Sequence, residues 1–216
     1  MSILFLDFDG VLHPDAVYLT RRGVELRAEG ELFMWAPILE KLLAECPQIQ
    51  VVLSTSWARN LGFREAKKRL PESVKVRVIG ASWHSGEAKG WPDQIKWDAL
   101  SRYEQIARYC ARARVNDWLA LDDDDRGWPD DQRHRLLYCD PNTGLAGLDY
   151  DATRAALREC GQARRQEAAS YARASTSLEG RQQTALGGEL SQRVVDGEIT
   201  TDVAIEQARA FYGLEP

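Results

Sequence analysis

The chain has 216 residues, 44% of them hydrophobic and 28% charged, with a formal net charge of −5. That is enough for one sizeable α/β core with a small appendage, and it excludes a disordered chain, a collagen-like fibre and a small disulfide scaffold. The acidic balance gives no bulk attraction for nucleic acid or an anionic membrane, so such partners require a local basic patch. No apolar run approaches the ~18 residues of a membrane span. The opening MSILFLDFDG reaches aspartates at 7 and 9 and lacks a signal-peptide pattern, so a cytoplasmic setting is expected. Cys46, Cys110, Cys139 and Cys160 form no Cys-x-x-Cys pair and have no histidine at ligand spacing; they read as reduced thiols filling the core.

In chain order, Ser2–Leu6 is a short apolar run that reads as a buried parallel strand. Residues 14–33, with Gly23 and Gly30, suggest a flap or hairpin. Ala36–Glu45 has helical spacing with Pro37 in its first turn. Gln50–Leu53 is a second strand, ending in Ser54-Thr55-Ser56. Arg64–Leu70 is a helix stopped by Pro71, and Val74–Ile79 alternates as a third strand. His84–Pro92 is a Gly-rich loop, followed by an amphipathic helix over Gln94–Ala113. Asp117–Leu121 is a fourth strand running into four aspartates, and Arg135–Cys139 a fifth. Strands alternating with helices predict βαβ units and a mostly parallel, Rossmann-like sheet. From about residue 150 the chain turns rich in Ala and Arg. One long helix is expected over 151–178, a second to Val195, a turn at Asp196-Gly197, and a last helix capped by Thr200 or Thr201. The expected division is therefore 1–150, an α/β domain, and 151–216, a small all-helical extension.

Three chemical features end three predicted strands: Asp7-Phe8-Asp9-Gly10, Ser54-Thr55-Ser56 and Asp122-Asp123. In an open parallel sheet those ends face one crevice. Carboxylates converging there repel unless a cation neutralises them. Without His or Cys ligands, the donor set suits a hard oxygen-seeking ion such as Mg²⁺. Such an ion with a free carboxylate and hydroxyl donors fits phosphoryl transfer.

FLDFDGVLH resembles the first motif of the haloacid dehalogenase (HAD) phosphatase superfamily, D-x-D-G-[VT]-[LV]; VVLSTS resembles the second and LALDDD the fourth. FMWAP, STSW, LDDD and DPNTGL are similar to the HAD domain of multi-domain RNA repair proteins. The resemblance implies Asp7 as nucleophile and Asp9 as general acid and base. It places Mg²⁺ on the Asp7 carboxylate, the Asp9 carbonyl and Asp122 or Asp123. Thr55 binds the phosphoryl group, and the third-motif cation is Lys96, with Arg102 as runner-up. Gly10 leaves room for the phosphate; Ser56 and Arg59 are substrate-binding candidates.

Gaps 14–49 and 58–95 are too short for a folded cap once their own elements are counted, which leaves a flap and an open crevice. Its substrate would be a phosphorylated small molecule held by the flap, or a large one such as a nucleic-acid end. Arg59, Arg64, Lys67 and Lys68 read first as a solvated helix face and second as a basic strip; Trp57, Trp83, Trp91 and Trp128 read first as packing residues and second as an aromatic rim that stacks on a base. In the tail, Ser175-x-x-x-Glu179-Gly180 with VVDGEIT…AFYG resembles the antitoxin module that inhibits Fic-domain AMP-transferases. That resemblance implies a Fic partner bound through Glu179.

Overall fold

The computed structural model describes residues 2–21, 23–84, 97–179 and 182–214. In chain order come β1 (Ser2–Leu6), a hairpin of β2 (Val17–Thr20) and β3 (Gly23–Leu26), α1 (Ala36–Glu45) and β4 (Ile49–Leu53). Three short helices follow, α2 (Ser56–Asn60), α3 (Phe63–Lys68) and α4 (Glu72–Lys75), then β5 (Val78–Ala81), α5 (Arg102–Ala113), β6 (Trp118–Asp122) and β7 (Leu136–Tyr138). The chain closes with α6 (Tyr150–Glu159), α7 (Gln162–Leu178), α8 (Ala185–Val195) and α9 (Thr201–Tyr212).

Five strands form one parallel sheet in the order β5-β4-β1-β6-β7. The chain runs outward from β1 through β4 to β5, then crosses back to β6 and β7. The reversal lies beside β1, so the crevice of this sheet opens where β1 and β6 end. Side chains alternate between two buried faces. Leu4, Leu6, Val51, Leu53, Leu119 and Leu121 pack with Leu39, Leu42 and Leu43 of α1 and Leu157 of α6. Ile3, Phe5, Val52, Trp118 and Ala120 pack with Ile106 and Cys110 of α5. Among the described residues, only the β2–β3 hairpin stands between β1 and α1 as folded structure, and no separate cap domain occurs. No described helix is long and apolar enough to cross a membrane. The cysteines are free, three of them buried.

Three expected elements differ. The alternation at Val74–Ile79 does not make a strand: Pro71 caps the single turn α4, whose Val74 is buried, and β5 starts only at Val78. The helix expected from Gln94 begins at Arg102. There the Ser101 hydroxyl accepts from the Glu104 N–H and the Glu104 carboxylate accepts from the Ser101 N–H, a reciprocal cap that fixes the start. Residues 94–96 lie outside the described residues. The helix expected over 151–178 breaks at Cys160-Gly161. Gly161 takes a φ of +75° against β1, where a Cβ would collide with the Ser2 hydroxyl.

The helical tail docks where the strands start, away from the crevice. Ser2 Oγ donates to the Cys160 carbonyl at 3.0 Å, and Gln48 Nε2 to that of Leu157 at 3.1 Å. Arg165 carries the joint. Its guanidinium donates to the carbonyls of Arg158 and Cys160 at the end of α6 and of Val195 at the end of α8. One cation thus satisfies two helix C-termini, where the carbonyl dipoles favour positive charge. Arg165→Leu should lower unfolding stability by about 2–3 kcal/mol, the worth of hydrogen bonds to a charged group. Urea denaturation checks this; an unchanged midpoint would show that the guanidinium is dispensable.

Candidate active site

Strand alternation builds the site. Residues 3 and 5 of β1, and 118 and 120 of β6, face α5. Asp7 and Asp122 continue those rows, and the strands are in register, with the Asp7 N–H donating to the Leu121 carbonyl at 3.0 Å. Both carboxylates are therefore buried side by side toward the first turn of α5. Arg102, the first residue of that helix, meets them. Its Nη2 lies 2.6 Å from Asp7 Oδ2 and its Nε 2.8 Å from Asp122 Oδ2. Its Nη1 donates to Gln105 Oε1 at 3.1 Å. Gln105 is anchored in turn to the carbonyls of Trp97 and Leu100.

Burial pushes both carboxyls above the ordinary range. Arg102 pulls each back down, while neighbouring carboxylates push again: Asp9 on Asp7, and Asp7 on Asp122. Phe8 N–H and the Thr55 hydroxyl also favour ionised Asp7. Asp123, beside them and partly buried, is pushed up to about 7 by burial and by Asp7 and Asp15. The ligand atoms of Asp7, Asp122 and Asp123 lie within 4.8 Å of one another, which makes this the one group of metal-ligating type among the described residues. The contact of Asp122 Oδ2 with Arg102 is an ion pair without hydrogen-bond alignment, and that oxygen has no hydrogen-bond partner although buried. An orphaned carboxylate oxygen within an all-oxygen donor set fits a hard divalent cation. Gly10, at φ +67°, passes so close to Asp123 that a Cβ would strike its carboxylate. Asp124 and Asp125 turn outward to Arg126 and Arg133.

Asp9 lies on the other side of β1, at the mouth. Its Oδ1 accepts from Trp57 Nε1 at 2.9 Å and pairs with His13 Nε2 at 3.1 Å. Its Oδ2 lies 3.1 Å from the same indole nitrogen and 3.5 Å from Ser56 Oγ. Thr55 caps α2, accepting from the Trp57 N–H. Asp9, Ser56, Trp57, Asn60 and Leu61, with Val17, Leu19 and Val24 of the hairpin, line a cleft of about 70 Å³.

Of the sequence-selected residues, Asp7, Asp9, Gly10, Thr55, Ser56, Asp122 and Asp123 come together at this strand end. Lys96 and Trp91 lie outside the described residues, as does Gly180. Arg59 is exposed on α2. Lys67, one candidate for a basic strip, donates to the Val78 carbonyl at 2.9 Å. Trp128 belongs to the core with Trp118 and Tyr103, and Trp57 is a buried hydrogen-bond donor to Asp9 rather than a rim platform. Ser175 and Glu179 sit in the last turn of α7 and its cap. The sequence motifs assigned no role to His13 and no polar role to Trp57. The available signal was only that both lie within a few residues of strand-end motifs.

A family model describing the HAD domain in Swiss Army Knife RNA repair proteins matches residues 3–149. No curated protein and no solved structure matches the chain.

Raised carboxyl pKa values set a direction for stability. Asp123 titrates near 3.8 when unfolded and near 7 when folded, so the folded chain holds the extra proton across that window. Its contribution is present below the window and lost as pH rises through it. In chelator-containing buffer, Asp123→Asn should be about 1–2 kcal/mol more stable than wild type at pH 8, with the advantage gone near pH 4. Denaturant melts at the two pH values measure this; a variant less stable at pH 8 contradicts it.

Proposed function

Because the chain belongs to the family of HAD domains found in Swiss Army Knife RNA repair proteins, we propose that it is a divalent-metal-dependent phosphohydrolase, forming an aspartyl-phosphate on Asp7. The observation that carries this reading is the buried Asp7–Asp122–Asp123 group, with one guanidinium among three carboxyls and an orphaned Asp122 oxygen. In the proposed mechanism Mg²⁺ would be held by Asp7, the Asp9 carbonyl and Asp122 or Asp123, and would supply positive charge to the transferring phosphoryl oxygens. Asp7 attacks phosphorus, splitting one difficult displacement into two easier ones. Arg102, poised on Asp7, is the basic residue of the third motif and balances charge as the phosphoryl group arrives. Thr55 and Ser56 offer hydroxyl donors. Asp9 gives a proton to the leaving oxygen and later takes one from water.

The substrate class we propose is a terminal phosphomonoester of a nucleic acid. Two observations support it: the family description, and a crevice with a hairpin but no cap domain among the described residues, which admits a bulky leaving group. Residues 150–216 fall outside the matched span, and the Fic-inhibitor resemblance at Ser175 and Glu179 has no second support.

Phosphate release from an aryl phosphate and from end-phosphorylated oligonucleotides should require Mg²⁺ and stop with chelator. Asp7→Asn should reduce kcat on the order of 10⁴-fold or more, and Arg102→Met about 10²–10³-fold. Wild type inert on every such substrate with Mg²⁺ would defeat the reading. Mg²⁺ should also raise the melting temperature, more at pH 8 than at pH 5, because protonated carboxyls bind it poorly. Equal shifts at the two pH values, or an undiminished shift in Asp122→Asn, would place the ion elsewhere.

A further inference from the structure

His13 is wholly buried, and both of its ring nitrogens are engaged. Nδ1 lies 3.3 Å from the Phe33 backbone nitrogen, and an N–H only donates, so Nδ1 carries the lone pair. The proton then sits on Nε2, which donates to Asp9 Oδ1 at 3.1 Å. Phe33 delivers its N–H from a φ of +64°, a left-handed conformation that an aromatic residue holds only when its surroundings over-determine it. They do so here: its ring stands edge-on to His13, Phe8 and Trp57, with centroids 5.1 to 5.4 Å away. The strain falls at the residue that sets the imidazole tautomer.

The two oxygens of Asp9 are consequently unequal. Oδ1 receives His13 Nε2–H and the shorter arm of the Trp57 indole, which occupies both of its lone pairs. Oδ2 has the longer indole arm and the Ser56 hydroxyl at 3.5 Å, so it retains capacity on the side where Asp9 lines the cleft under the hairpin. We propose that His13 is a positioning residue: with its tautomer set by the Phe33 N–H, it pins Asp9 Oδ1 and so presents Asp9 Oδ2 to the leaving-group oxygen. This rests on the phosphohydrolase reading. In the first half-reaction an Asp7 oxygen forms a bond to phosphorus, the ester P–O bond breaks, and the leaving oxygen takes the proton from Oδ2, leaving Asp9 anionic. In the second, water attacks phosphorus, Asp9 takes its proton, and the bond from Asp7 to phosphorus breaks.

The test exploits how much each leaving group needs that proton. An alkyl phosphate expels a strongly basic alkoxide and depends on the acid; 2,4-dinitrophenyl phosphate expels a stable phenolate and does not. The readout is kcat/KM, which covers only the steps up to transfer onto Asp7. His13→Phe keeps the aromatic packing but removes the donor. It should lose about 10²-fold on the alkyl substrate, and at least tenfold less on the dinitrophenyl one. His13→Gln, whose amide can donate to Asp9, should recover most of the alkyl activity. Equal losses on both substrates, or no loss on the alkyl phosphate, overturn the positioning role while leaving the phosphohydrolase reading intact. A wild type inert on both substrates overturns that reading and the proposal with it. Imidazole ¹⁵N spectroscopy on wild type, with His13 assigned through His13→Gln, is independent of how the Phe variant folds. A proton on Nε2 alone is expected, and one on Nδ1 overturns the proposal.

Discussion

Two buried carboxylates share one guanidinium, and much of the molecule is arranged to hold that trio. Strand alternation aims Asp7 and Asp122 at the same side of the sheet, and burial there disfavours their ionised forms. Arg102 makes the arrangement tolerable, because a buried charge left without its partner is among the costliest defects a fold can carry. Its position is fixed by three things in series. The reciprocal cap between Ser101 and Glu104 starts α5 at Arg102; Gln105 grips the guanidinium; and the Trp97 and Leu100 carbonyls grip Gln105. The compensation is incomplete, since Asp123 adds a third carboxyl that forms no ion pair among the described residues. What remains is a pocket of unspent negative charge at the natural opening of a parallel sheet, the electrostatic condition for recruiting a divalent ion.

Much of this was legible before any coordinates. The apolar runs Ile3–Leu6 and Trp118–Leu121, each closed by an aspartate, announce buried strands, and the topology of such sheets brings those ends together. The hairpin at 14–33 and the capped final helix at Thr200 were likewise readable from local chemistry. Other features were not. Val74 and Val76 alternate as strand residues do, yet a proline-initiated turn of helix won over so short a pattern. Apolar spacing before Ser101 suggested a longer helix than the cap allows. Spacing alone could not choose between Lys96 and Arg102, since both precede the fourth motif at plausible distances; the fold brings Arg102 against Asp7, while Lys96 lies outside the described residues.

The Asp9 environment was illegible for a different reason. It depends on Phe33, His13 and Trp57 meeting in space, and on a positive φ at Phe33 that no aromatic residue advertises in sequence. A histidine four residues after Asp9 and an indole just after the hydroxyl cluster look ordinary one at a time. Only their convergence on a single carboxylate distinguishes its two oxygens.

The family-matched span closes at residue 149, yet α6, immediately beyond it, is not an ornament. Leu157 is completely buried in the same cluster as Leu4 and Leu121. Tyr150 and Arg154 are bonded to Glu45 at the end of α1. Ancestry and cohesion therefore divide this polypeptide at different places. A gene fusion or excision faithful to the inherited border would open a hole in the hydrophobic interior and strand the end of α1, whereas a cut beyond Gly161 would carry the whole plug along with the sheet it seals.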